Sequence, residues 1–191
     1  TDGTNGAELW KSDGTSSGTV MVKNIVFGSS SSSPYELTAV GNTLYFTATE
    51  GMNGIELWKS DGTSSGTVMV KDIFSGFSPS SPSDLTAVDN TLYFTATDGT
   101  NGIELWKSDG TSSGTVMVKD IYSGSSSSSP GDLTTVGNTL YFSATDGTNG
   151  IELWKSDGTS SGTVMVKNIR SGSLSSTPRH LTAIDNTLYF A

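Results

Sequence analysis

ELWKSDGTSSGTVMVK runs from Glu8 to Lys23 and returns unchanged at Glu56 to Lys71, Glu104 to Lys119 and Glu152 to Lys167, always 48 residues apart. A period of that length marks a chain assembled from stacked copies of one supersecondary unit. Working outward through the third copy, Leu133 to Val136 reads as a first strand and Gly137-Asn138 as a two-residue hairpin turn. Other copies place Asp89-Asn90 and Asp185-Asn186 in the same slot. Thr139 to Thr145 is a second strand and the run TDGTNG, Thr145 to Gly150, a reversal. Ile151 to Ser156 is a third strand, SDGTSSGT the next reversal, and Thr163 to Ile169 a fourth strand. A connection rich in Ser, Gly and Pro leads on to the next unit.

No window of ten residues has helical periodicity, so the chain is expected to be all-β. Four short strands per 48 residues suit a β-propeller of four-stranded antiparallel blades. The strands are apolar on both faces: Leu92, Phe94 and Ala96 lie on one, Tyr93 between Thr91 and Thr95 on the other. That pattern fits a sheet packed between two neighbours rather than one wetted on a side. The expected organisation is a single domain, 1–191, with repeats 1–48, 49–96, 97–144 and 145–191. Trp10, Trp58, Trp106 and Trp154 are the largest apolar groups and are assigned to the core. Burying an indole is worth roughly 4–6 kcal/mol as an upper bound.

Composition narrows the partners. Ten basic residues against nineteen acidic ones leave a net charge of −9, so no basic stripe exists to neutralise phosphates, and nucleic acid is not expected. No apolar run approaches the roughly 20 residues that span a bilayer, and the chain opens on Thr1-Asp2-Gly3 without a signal-peptide pattern; membrane insertion is not expected. Cysteine is absent, which removes disulfides and thiolate sites. An acidic, Cys-free β protein rich in Ser, Thr and Gly fits an extracellular or cell-surface bacterial setting.

The phrase ELWKSDGT, followed by GT and VKDI or VKNI and preceded by LTAV, a turn and LYFTATDGTNG, resembles the bacterial ELW-x-x-DGT repeat family. The resemblance covers all four copies and nearly every residue. It implies propeller arrays in large secreted or surface proteins, and no catalytic residue or agreed ligand. The copies are more alike than that family's repeats usually are, which suggests recent amplification or an engineered repeat.

Differences between copies concentrate in the connections. Val26, Phe74, Tyr122 and Arg170 share one slot; Tyr35, Ser83, Gly131 and Arg179 another; Glu36, Asp84, Asp132 and His180 a third. Antiparallel geometry gathers these slots on one face with TDGTNG, opposite the nearly invariant face of SDGTSSGT loops. Loops on a rigid scaffold commonly carry recognition, so Tyr35, Glu36, Phe74, Phe77, Asp84, Tyr122, Asp132, Arg170, Arg179 and His180 are the candidate ligand-binding residues, for a glycan or a protein. Drift in solvated loops, with the serine runs Ser29 to Ser33 and Ser125 to Ser129, is the competing account, and a ligand-free structural spacer or scaffold follows from it. Asp98, Asn101 and Glu104 offer oxygen ligands, but the EF-hand spacing is missing and Asp-Gly and Asn-Gly are ordinary turn formers, so no metal or cofactor is expected. One histidine and symmetrically repeated acids do not make a catalytic constellation, and the chain is read as no enzyme.

The cut between repeats passes through a blade, leaving strands three and four at the N-terminus and one and two at the C-terminus. Two closures are open: a monomeric four-bladed ring with one blade completed by both termini, or a two-chain eight-bladed ring.

Overall fold

The computed structural model describes residues 1–191 and is all-β. A two-strand half-sheet comes first, β1 (Leu9–Lys11) with β2 (Val20–Lys23). Three complete antiparallel sheets follow. The first holds β3 (Tyr35–Val40), β4 (Thr43–Thr49), β5 (Ile55–Ser60) and β6 (Val68–Lys71). The second holds β7 (Ser83–Val88), β8 (Thr91–Thr97), β9 (Ile103–Ser108) and β10 (Val116–Lys119). The third holds β11 (Gly131–Val136), β12 (Thr139–Thr145), β13 (Ile151–Ser156) and β14 (Val164–Lys167). A last half-sheet pairs β15 (Thr182–Ile184) with β16 (Thr187–Tyr189).

Each strand pairs with the next in sequence, so every sheet is a meander whose register repeats. Phe94 faces Trp106 and Thr95 faces Leu105 across β8 and β9, as Phe46 faces Trp58 and Thr47 faces Leu57 across β4 and β5. The first hairpin turns with positive φ at its first residue only, at Gly41, Asp89, Gly137 and Asp185, a conformation that Gly and Asp tolerate best.

Successive sheets pack face to face. Val40, Tyr45, Leu57, Val70 and Ile73 of one sheet meet Leu85, Leu92, Phe94, Ala96 and Trp106 of the next as one core, and the equivalent residues form the following core. Apolar strands on both faces are thereby explained: every complete sheet serves two cores. The indole N–H groups of Trp58, Trp106 and Trp154 are buried without a hydrogen-bond partner, so volume and apolar area hold these rings. Trp10 differs, at 39% exposed against 4–6% for the other three.

The sheets do not close into a ring. β1 pairs only with β2 and β16 only with β15, so the expectation that both termini complete one blade within the chain is not met. The reason lies in the packing. First strands of neighbouring sheets touch along β3, β7, β11 and β15, while the outer strands are bridged only by long side chains. The sheets fan out from that inner edge, and four units of fanning leave the half-sheets at opposite ends of the row.

Candidate functional site

The invariant face is a set of closed loops. In Ser108 to Thr115 the Asp109 carboxylate accepts from the Thr111 backbone N–H at 2.8 Å and its hydroxyl at 2.7 Å. Thr111 Oγ1 accepts from Gly114 N at 2.9 Å, and the Ser108 and Thr115 hydroxyls meet at 2.7 Å. Gly114 is required because a Cβ there would run into the Asp109 carboxylate. The Thr111 hydroxyl and N–H hold Asp109 below the usual carboxylate range, and Asp13, Asp61 and Asp157 are lowered in the same way.

These loops receive the lysines of the preceding sheet. Lys59 Nζ donates to Gly110 O and Lys71 Nζ to Thr115 O, both at 2.8 Å; Lys107 and Lys119 repeat the pair on Gly158 O and Thr163 O. Tyr45 completes the contact with its hydroxyl against Gly110. Three equivalent polar cavities sit here, of about 330, 230 and 310 Å³ from first to third sheet. The third is lined by Thr139, Lys155, Ser156, Asp157, Gly162 and Val164.

On the opposite face the glutamate of ELW plays a part that sequence reasoning missed. Glu104 is fully buried, with Oε2 accepting from Ile121 N at 3.0 Å and the Ser128 hydroxyl at 2.6 Å, and Oε1 accepting from Ser128 N at 2.9 Å. Glu56 does the same with Ile73 and Ser80. The carboxylate clamps the connection onto β9. Ser127 Oγ accepts from Ile103 N, Ser129 N donates to Ile103 O, and Ser128 is fully buried, so the serine run is a docked strap rather than a solvated loop. Invariance of Ser32, Ser80, Ser128 and Ser176 at 48-residue spacing was the available signal.

The oxygen groups considered for a cation serve separate networks. Asp98 accepts from Thr100 N, Asn101 N and Asn101 Nδ2 inside its own turn, whereas Glu104 faces the strap. Burial pushes Asp98 up, but the three donors together keep it below the ordinary range. Asp2, in the most open turn, is lowered to about 2 by the N–H groups of Asn5 and Thr4 and the Asn5 amide.

Burial pushes Glu56 and Glu104 up despite their donors. Burial also acts on Glu152, but in the more open third strap the Ser176, Ile169 and Arg170 donors prevail and lower it. The signs oppose one another. Stability carried by neutral Glu56 and Glu104 is present at low pH and lost as pH rises through their raised values. Stability carried by the turn aspartates and Glu152 is present above the ordinary carboxylate range, 3.8 to 4.5, and lost as pH falls through their depressed values. The melting temperature should therefore peak in mild acid, between that range and neutrality, and fall steeply below it. Thermal scans across pH check this, and a melting temperature still rising below pH 3.8 would contradict it.

The candidate residues divide into three groups. Phe74 and Tyr122 are half-buried and lie across Gly99 and Gly147 of the next turn, as fillers between sheets. Glu36, Asp84, Asp132 and His180 line the inner edge at a bulge, all with φ of 54–56°. Glu36 Oε2 accepts from Leu85 N at 3.3 Å and Asp132 Oδ1 from His180 N at 3.0 Å. Burial and then the Glu36 and Asp132 carboxylates raise Asp84. Asp84→Asn removes that repulsion at a residue type suited to positive φ, and should raise the melting temperature at pH 7 by the equivalent of about 0.5–1 kcal/mol, less in high salt. An unchanged or lower value would contradict the repulsion.

The third group is open to solvent. Tyr35 is 70% and Phe77 82% exposed, and Arg170 and Arg179 are exposed. Phe27, which sequence reasoning passed over, is the most exposed aromatic at 87%. Tyr35 also borders an apolar groove of about 470 Å³ with Leu9, Trp10, Pro34 and Leu37.

No protein-family profile matches the chain, and no curated protein matches it. Among solved structures, one similar chain is the crystal structure of the computationally designed Ika8 protein, at 17% identity and a TM-score of 0.47. That match covers 90% of this chain and 46% of the designed one, so this chain spans about half its length.

Proposed function

We propose that this chain is a non-enzymatic recognition module of β-propeller type, secreted or displayed on a bacterial surface, which binds a glycan or a protein through its connection loops. The observation that carries the reading is the exposure of Phe27, Tyr35 and Phe77 on those connections. Each ring stands on a strap held by a buried glutamate or against a strand edge, so it presents apolar area at little further entropic cost. Exposed Arg170 and Arg179 add charged donors on the same face. A non-enzymatic role is supported by the invariant polar groups, whose glutamates, lysines and loop aspartates are engaged in bonds that build the stack. The resemblance to ELW-x-x-DGT repeats supports the propeller and surface parts.

The test is binding of the purified chain to a glycan array and to an extracellular protein panel, beside the variant with Phe27, Tyr35 and Phe77 all changed to Ser. Retained stability with at least tenfold weaker binding is the expected result. No ligand on either panel, or binding untouched by the triple change, would favour a ligand-free scaffold, the second reading that the inter-sheet bonds also suit.

A further inference from the structure

The two ends of the row are halves of the interface that already joins the sheets inside it. At the C-terminal end Val166 is 45% and Ile169 44% exposed, where their equivalents Val70 and Ile73 are 6% and 7%. Tyr189 and Phe190 are 55% and 42% exposed, against 4% for Tyr45 and 0% for Phe46. At the N-terminal end Trp10 and Leu37 are 39% and 56% exposed, against 6% for Trp106 and 8% for Leu85. Each end lacks what the other presents.

The polar groups agree with the apolar ones. Lys155 and Lys167 are exposed and donate to nothing in the chain, while their equivalents Lys59 and Lys71 each hold a carbonyl of the following loop. Gly14 O and Thr19 O occupy the positions that receive those lysines in every later copy, and no lysine reaches them. Strands β1 and β16 both offer an unpaired edge, which soluble proteins normally cover.

We infer that the occupant of each end is a second copy of this chain, and that two copies close head to tail into a ring of eight sheets. The register follows from the complete sheets: Phe190 opposite Trp10 and Ala191 opposite Leu9, as Phe94 faces Trp106 and Thr95 faces Leu105. The groove beside Trp10, Pro34, Tyr35 and Leu37 then takes β15 and β16 of the partner copy. Lys155 and Lys167 reach Gly14 O and Thr19 O of the other copy. Two copies is the number because one copy leaves its ends apart, and three would give about twelve sheets, beyond the roughly four to eight of propeller rings.

Light scattering on the eluting peak, for the intact chain and for Phe190→Asp, tests this. The intact chain should run at about 40 kDa, twice 19.9 kDa, and the variant at the single-chain mass. Phe190 lies outside all three complete sheets, so the variant keeps its fold, which the near-ultraviolet signal of the buried tryptophans verifies. Lys155→Ala with Lys167→Ala should weaken association at least tenfold. A single-chain mass for the intact protein overturns the inference, as do a dimer indifferent to Phe190→Asp and assemblies that grow with concentration instead of stopping at two copies.

Discussion

Glu104→Ala should cost about 3–6 kcal/mol of unfolding free energy, measured by urea denaturation at pH 7. The change strips acceptors from Ile121 N, Ser128 N and the Ser128 hydroxyl, all inside a region closed to water. Each buried donor left without a partner costs about 1–3 kcal/mol, and the cavity adds to it. Glu104→Gln is expected to fall between, because an amide keeps one acceptor oxygen but turns N–H groups toward a donor. Glu8→Ala, on the half-sheet at the row's edge, should cost less than Glu104→Ala, since Glu8 serves only one core. A cost under about 1 kcal/mol for Glu104→Ala would mean that the strap is not held by this carboxylate.

Gly102→Ala should be the next most damaging single change, at about 2–4 kcal/mol. Gly102 has φ of +65° and a Cβ there would strike the Ser126 carbonyl, which is backbone and cannot swing aside. Gly124→Ala supplies the comparison: φ is +93° but the space beside it is empty, so only the conformational cost of about 1 kcal/mol is expected. The gap between the two variants measures how closely the serine strap lies on the start of β9. Equal costs would show that backbone conformation alone is at stake.

Strand positions were legible because repetition averages out local ambiguity. A single LYFTAT could belong to many folds, but four copies in phase with four IELWKS or AELWKS runs leave little choice of pairing. The structure differs from the expected strands by small shifts, such as β11 starting at Gly131 rather than Leu133, where a bulge carries Asp132 at positive φ. Such a bulge has no apolar signature. Composition likewise hid the strap, since Ser125 to Ser129 has the look of a solvated tract, and only the buried acceptor at Glu104 makes it ordered. Alternation placed Glu104 beside Trp106 on one strand face without revealing that both are enclosed. The candidate ligand residues were found as a set by their variability, yet variability does not separate a filler from a free ring. Phe74 and Phe77 are three residues apart, and what divides them is a glycine at position 99 on another sheet.

The lysine contacts give the row a grammar. Every unit reaches forward with two ammonium groups and is read from behind at two carbonyls, and no unit does both toward the same neighbour. A protein joined in this way has a sense of direction but no sense of count. Adding or removing 48 residues in phase replaces one junction by an identical one, leaving each surviving bond with an unchanged partner. Length can therefore vary by whole units while the contacts within and between them stay the same.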